Sequence, residues 1–167
     1  MTGLFHGSNA MVQNPLAKVG RPKVDFGQGF YMTKLRDQAE SWAQTIASRT
    51  RDGKAFLNRY EYDEQRAKEL VGSRYKVFAA YDMEWLDYVV DCRKGGNLQE
   101  GYDVVEGGVA NDNVIDTVED YENGVITAEQ ALGQLVYKKV NHQICIRSQS
   151  VLDTCLKFVG AEELERA

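Results

Sequence analysis

Two short segments near the N-terminus gather residue types that can do chemistry. They are Leu4-Phe5-His6-Gly7-Ser8 and Asp25-Phe26-Gly27-Gln28-Gly29-Phe30-Tyr31-Met32-Thr33. His6 closes a short apolar run. A lone histidine there is either an ordinary structural residue or a ligand contact, and the chain holds only two histidines in all. Gly7 removes a side chain where a ligand can meet the backbone. Ser8 adds a hydroxyl, which equally caps a turn. Gly27 and Gly29 flank Gln28 in what reads as a tight turn feeding a strand. Their spacing is not that of a Walker or dinucleotide phosphate loop. Tyr31 follows at once, and its ring can stack on a planar ligand or simply fill a core. The two segments together thus place one His, one Tyr, several glycines and the hydroxyls of Ser8 and Thr33 within the first 33 residues. That set can grip a flat aromatic amide and a ribose.

The elements that must position these residues can be read from periodicity and turn chemistry. Residues 2–6 predict a strand, 8–28 a loop and 30–33 a second strand. Leu35, Ala39, Trp42, Ala43 and Ile46 recur at helical spacing and predict a helix over 34–49, with Thr33 as its N-cap. Alternation predicts a strand over 54–62. A short helix is expected over 63–70, a short strand over 75–78 and a helix over 82–92. Val104, Val105 and Val109 around Gly107-Gly108 predict a strand over 102–110 with a bulge or a close backbone approach. Helices are expected over 111–121 and 127–134, separated by Asn123-Gly124. The second of them starts at a capping box on Thr127 and Gln130. A strand over 141–147 and a helix over 148–158 capped by Ser148 follow, and the charged residues 161–167 read as a frayed tail. Strands and helices mix without a regular βαβ rhythm, so the expected class is α+β, as a single domain over 1–160.

Composition narrows the function classes. A length of 167 residues can bury one real core, and a net charge of −5 disfavours a broad nucleic-acid surface. No apolar run approaches the roughly 20 residues of a membrane span, and the start lacks a signal-peptide pattern. The spacing of Cys92, Cys145 and Cys155 matches no metal pattern. They read as buried, reduced thiols of a cytoplasmic protein with no bound metal.

The His-Gly-Ser end of the first strand, followed by Phe-Gly-x-Gly-Phe-Tyr before a helix, resembles the first two catalytic motifs of the poly(ADP-ribose) polymerase and diphtheria-toxin-like clan of ADP-ribosyltransferases. Asn141-His142-Gln143-Ile144-Cys145-Ile146 lies where that clan has its third motif strand. More closely, the chain resembles the bacterial domain-of-unknown-function family 3990. That likeness runs from about residue 3 to 160 and is carried by residues 5–8, 25–33, 56–63, 85–90, 107–112 and 143–152.

The resemblance implies a split β-sheet core with surrounding helices and NAD as substrate. It implies that His6 hydrogen-bonds a ribose hydroxyl, that the Gly7 backbone holds the nicotinamide carboxamide, and that Tyr31 stacks on the nicotinamide ring. Ser8, Gly29 and Phe30 would line the cofactor site, and Arg21 would either pair with the pyrophosphate or stand as an ordinary exposed loop arginine. The clan places a Glu on the third strand, to hold the ribose and stabilise the oxocarbenium-like centre. Here Gln143 stands in that region without a charge. Gln143 then predicts slow transfer, a different reaction, or an acid supplied from elsewhere, with Asp112 the first candidate for that acid and Glu106 the second. Asp112 equally reads as a helix N-terminal carboxylate. The implied activity is mono-ADP-ribosylation of a protein or nucleic-acid acceptor, with a toxin role and a small antitoxin or immunity partner by analogy. The alternative is a catalytically weak or inactive nucleotide-binding module. Removal of an RNA 2′-phosphate fits poorly with the acidic balance.

Overall fold

The computed structural model describes residues 1–111, 114–138 and 140–167. Its strands are β1 (Thr2–Ser8), β2 (Phe30–Met32), β3 (Ala55–Tyr62), β4 (Tyr75–Val77), β5 (Val104–Gly107), β6 (Gln143–Ile146) and β7 (Leu156–Leu164). Its helices are α1 (Arg36–Ala47), α2 (Glu64–Val71), α3 (Met83–Arg93), α4 (Ile115–Glu122), α5 (Ala128–Leu135) and α6 (Gln149–Cys155). The strands form two sheets, ordered β1-β3-β7 and β2-β6-β5-β4. All neighbours are antiparallel except β4 and β5. The α+β class expected from the sequence is therefore present, in one unit with two sheets.

Among the described residues a single bridge joins the sheets. Phe5 N–H donates to Thr33 O at 2.8 Å and Thr33 N–H donates back to Phe5 O at 2.9 Å. Beyond that pair β1 and β2 part. The inner core lies between the sheets, where Leu4, Tyr60 and Tyr62 meet Phe30, Met32, Val104, Ile144 and Ile146. A second core covers the outer face of the β2-β6-β5-β4 sheet. There Val105 and Cys145 pack under Trp85, Leu86, Val89, Val118 and Leu135. Trp85 is fully buried. A Trp removes ~150–250 Å² from water, an upper contribution of about 4–6 kcal/mol.

Helix α1 departs from its expected face. Ala39, Ala43 and Ala47 are buried, whereas Leu35 and Trp42 are 44% and 43% exposed. Small residues at every fourth position let the helix backbone lie directly on β1. A Cβ built at Gly7 would overlap Ala39 O and sit 2.8 Å from Ala43 N. Thr33 is not the N-cap. Its hydroxyl accepts from Leu35 N–H at 3.1 Å, a turn just before the helix, and Leu35 occupies the cap without a side-chain bond. The capping box at Thr127 and Gln130 forms as expected.

The C-terminal region differs most. The helix expected over 148–158 ends at Cys155, and the residues expected to fray run on as β7. Here β7 pairs with β3 from Leu156↔Tyr62 to Leu164↔Ala55, with a register shift at Arg59/Tyr60. The open edge of β3 supplies backbone partners that local helix propensity cannot match, and Arg36 on α1 reaches Glu162 on β7. Ser148 does cap α6, accepting from Val151 N–H at 3.4 Å. Among the described residues no helix is long and apolar enough to cross a membrane.

Candidate functional site

The seam where β1 leaves β2 holds the first motif. In an antiparallel strand the N–H and C=O of one residue point to the same side, and successive residues alternate. Phe5 turns both groups to Thr33, so Gly7 turns both of its own to the same side. No bond from β2 meets them. The Tyr31 carbonyl that would have continued the ladder is taken by the His6 ring, with Nδ1 at 2.6 Å. A carbonyl only accepts, so Nδ1 carries the proton and Nε2 of the neutral ring is an acceptor. Nε2 has no protein partner among the described residues. Burial lowers the His6 pKa and outweighs the Tyr31 bond that raises it, which favours this neutral form. The ring also lies 4.3 Å, centroid to centroid, from Phe30. His6 is thus a wedge that interrupts the ladder and frees a donor and an acceptor on Gly7.

Register sorts the rest of the second motif. Tyr31 lies opposite Cys145, and Cys145 opposite Val105, so these share the outer face of their sheet with Gln143. The Tyr31 hydroxyl donates to Gly27 O at 2.5 Å and accepts from Phe26 N–H at 3.0 Å, which pins the loop before β2. Burial, with the adjacent Cys145, holds its pKa well above the ordinary phenol value. Gly29 passes so close to β6 that a Cβ would overlap Cys145 Sγ. Phe30 points the other way, into the inner core, edge-on to Tyr60. Ser8 ends β1 half-buried with only a 3.5 Å contact to Asn9, and Arg21 is exposed in the loop.

Gln143 is buried next to an acid that the sequence reading did not single out. Its Nε2 lies 3.3 Å from Asp25 Oδ2 and 3.3 Å from Gly108 O. Asp25 also accepts from Ala110 N–H at 2.9 Å and pairs with Arg93 at 3.3 Å. Burial raises the Asp25 pKa, while Ala110, Arg93 and Gln143 work to lower it. Asp25 opens the DFGQGFY motif, so its adjacency to that motif was the signal available in the sequence.

The two acids named from the sequence stand otherwise. Asp112 lies outside the described residues. Glu106 faces the opposite side of the sheet from Gln143, in register with Ile144. There His142 Nε2 reaches it at 2.8 Å and Lys34 Nζ at 3.0 Å. His142 Nδ1 in turn accepts from Lys34 N–H at 3.0 Å, so the ring is fixed on both nitrogens. Glu106 thus belongs to a closed polar cluster at the far end of the seam. Arg147 is likewise spent on structure, donating to the carbonyls of Gln28, Gln99 and Tyr102. Two open hollows, one on α2 lined by Glu64, Gln65, Lys68 and Glu69 and one between α1 and the residues at Leu164 and Glu165, include none of these residues. Among the described residues no cluster of His, Cys, Asp or Glu is arranged to hold a metal.

The fold is thus an α+β domain of two sheets parted at a seam of polar groups. The chain belongs to the family described as "Protein of unknown function (DUF3990)", whose profile matches residues 2–158. No curated protein and no solved structure matches the chain.

Proposed function

We propose that this protein is an NAD-dependent mono-ADP-ribosyltransferase with the split-sheet fold of that clan, acting in the cytoplasm on a protein or nucleic-acid target. The observation that carries the reading is the seam. A carboxamide needs one acceptor and one donor side by side, which the freed C=O and N–H of Gly7 supply. A ribose hydroxyl needs an acceptor, which His6 Nε2 supplies when Nδ1 is held by Tyr31. The Tyr31 ring stands on the adjoining strand, with its hydroxyl anchored away in the loop.

In the reaction the bond between ribose C1′ and the nicotinamide nitrogen breaks, and its electron pair leaves with nicotinamide. The ribose becomes oxocarbenium-like. A nucleophile of the acceptor then bonds C1′ and releases its proton. This chain's residues orient the two halves of the dinucleotide and face the developing positive charge with polar groups. A well-aimed group of this kind is worth about 3–4 kcal/mol in a dry site. Three buried thiols fit a reducing compartment. A toxin role, held in check by a small antitoxin or immunity protein, extends the same reading by analogy.

One observation favours a second reading. Gln143 carries no charge, which suits a module that binds NAD without turning it over. Calorimetry with NAD and an assay for released nicotinamide separate the two. Binding with release supports the transferase, and binding without release supports the module. We expect His6→Ala to weaken NAD binding by at least tenfold. Tyr31→Phe keeps the ring and is expected to retain binding, whereas Tyr31→Ala is not. If His6→Ala and Tyr31→Ala both bind and turn over like the parent, the site lies elsewhere.

A further inference from the structure

A carboxamide can offer a ligand either its oxygen or its nitrogen. At Gln143 the surroundings decide which. Asp25 Oδ2 and Gly108 O are both pure acceptors, and both lie 3.3 Å from Nε2. They take the two N–H donors of Gln143. Its Oε1 is left with no protein partner among the described residues.

Both acceptors are themselves held. Asp25 is fixed by Ala110 N–H on Oδ2 and by Arg93 on Oδ1. The Gly108 carbonyl also receives Trp85 Nε1–H at 3.0 Å. The Gly108 backbone lies against Tyr81 so closely that a Cβ would overlap the ring. The Tyr81 hydroxyl donates to the next carbonyl, Val109 O, at 2.9 Å.

We infer that Asp25 is a positioning residue: it locks the Gln143 amide with Oε1 presented as an acceptor and polarises that oxygen, so that the pair replaces the carboxylate missing from this strand. The inference rests on the transferase reading above and deepens it. The partner chemistry it names is a ribose hydroxyl donor beside a carbon that turns positive. It also explains why a glutamine stands here. A Glu side chain would aim a carboxylate oxygen at Asp25 and at Gly108 O, acceptor against acceptor. The two carboxyls would then compete for one proton.

The test uses the full chain with NAD. Asp25→Asn can keep an oxygen toward Ala110 and Gln143 but loses the charge, whereas Asp25→Ala loses both. We expect kcat for nicotinamide release to fall about tenfold in Asp25→Asn and roughly 100-fold in Asp25→Ala, with KM for NAD within about threefold of the parent. Gln143→Glu is expected to lower kcat, not raise it. A structural role alone would lower thermal stability without this split between kcat and KM. NMR gives a readout that needs no NAD: the side-chain amide signals of Gln143 should move on Asp25→Asn substitution. Unmoved amide signals overturn the inference. So does an Asp25→Ala variant with parental kcat, or a Gln143→Glu variant that is faster. A parent protein that neither binds NAD nor releases nicotinamide overturns the transferase reading and the catalytic part of this one. The amide signals then still decide whether Asp25 fixes Gln143.

Discussion

Burial works against the charge on Glu106, but hydrogen bonds from His142 and Lys34 outweigh it and hold the carboxyl below its ordinary range. A carboxyl with a depressed folded pKa adds stability that is present above its unfolded pKa and lost as pH falls through the folded one. Glu106→Gln is therefore expected to cost about 1–2 kcal/mol at neutral pH. That deficit should shrink toward zero on acidification below the ordinary carboxylate range, as followed by urea unfolding at a series of pH values. His6 acts in the same direction, the reverse of a histidine whose pKa a partner raises. Its folded pKa lies below the ordinary 6.5, so the folded protein resists protonation and loses stability as pH falls through 6.5 toward the lower value. NMR titration should find the His6 midpoint below 6.5 and the proton on Nδ1 at neutral pH. Residue types and spacing marked His6, Gly7 and Tyr31 as candidates, and the fold brings them together at one seam. Asp25 was not among the candidates, because its partnership with Gln143 joins positions far apart in the chain. Its place at the head of DFGQGFY marked it as part of the motif but not as the partner of Gln143.

At the scale of elements, α1 and β7 carry the main lessons. The period of α1 was readable, but its buried stripe was assigned partly to Leu35 and Trp42. The stripe that packs is Ala39, Ala43 and Ala47, because the opposing β1 offers Gly7 and leaves no room for larger side chains. Size complementarity between two distant segments is invisible in either one. Gly7→Ala is expected to push α1 off the sheet and destabilise the protein by ~2–3 kcal/mol or more, measured by denaturant midpoint. The same displacement should weaken NAD binding, since Gly7 lines the seam. For β7 the misleading signals were a good N-cap at Ser148 and a charged, acidic end. Strand formation there is imposed by β3, which would otherwise keep an open edge. A chain cut after Cys155 is expected to lose soluble expression or to pair through β3 into oligomers, visible by size-exclusion chromatography.

Across the whole molecule, the α+β class and single unit followed from the mix and order of elements. The parting of the two sheets was expected from the family resemblance and not from that order, because it turns on one side chain capping one carbonyl. Both cores border the sheet that carries Tyr31 and Gln143, so a ligand seated in the seam should stabilise the entire protein. NAD at 100 times its dissociation constant is expected to add about 2.7 kcal/mol, or roughly 5–11 °C in Tm for a chain of this size. Differential scanning fluorimetry should record that rise in the parent and little of it in His6→Ala. The three buried cysteines add a clock to such experiments. Cys92 and Cys145 sit in the outer core, with burial pushing both thiols up to about 12, while Cys155 sits in the inner one. None should react with an alkylating reagent until its own core opens. The order in which the three thiols become modified during unfolding therefore dates the opening of each core separately, without any engineered label.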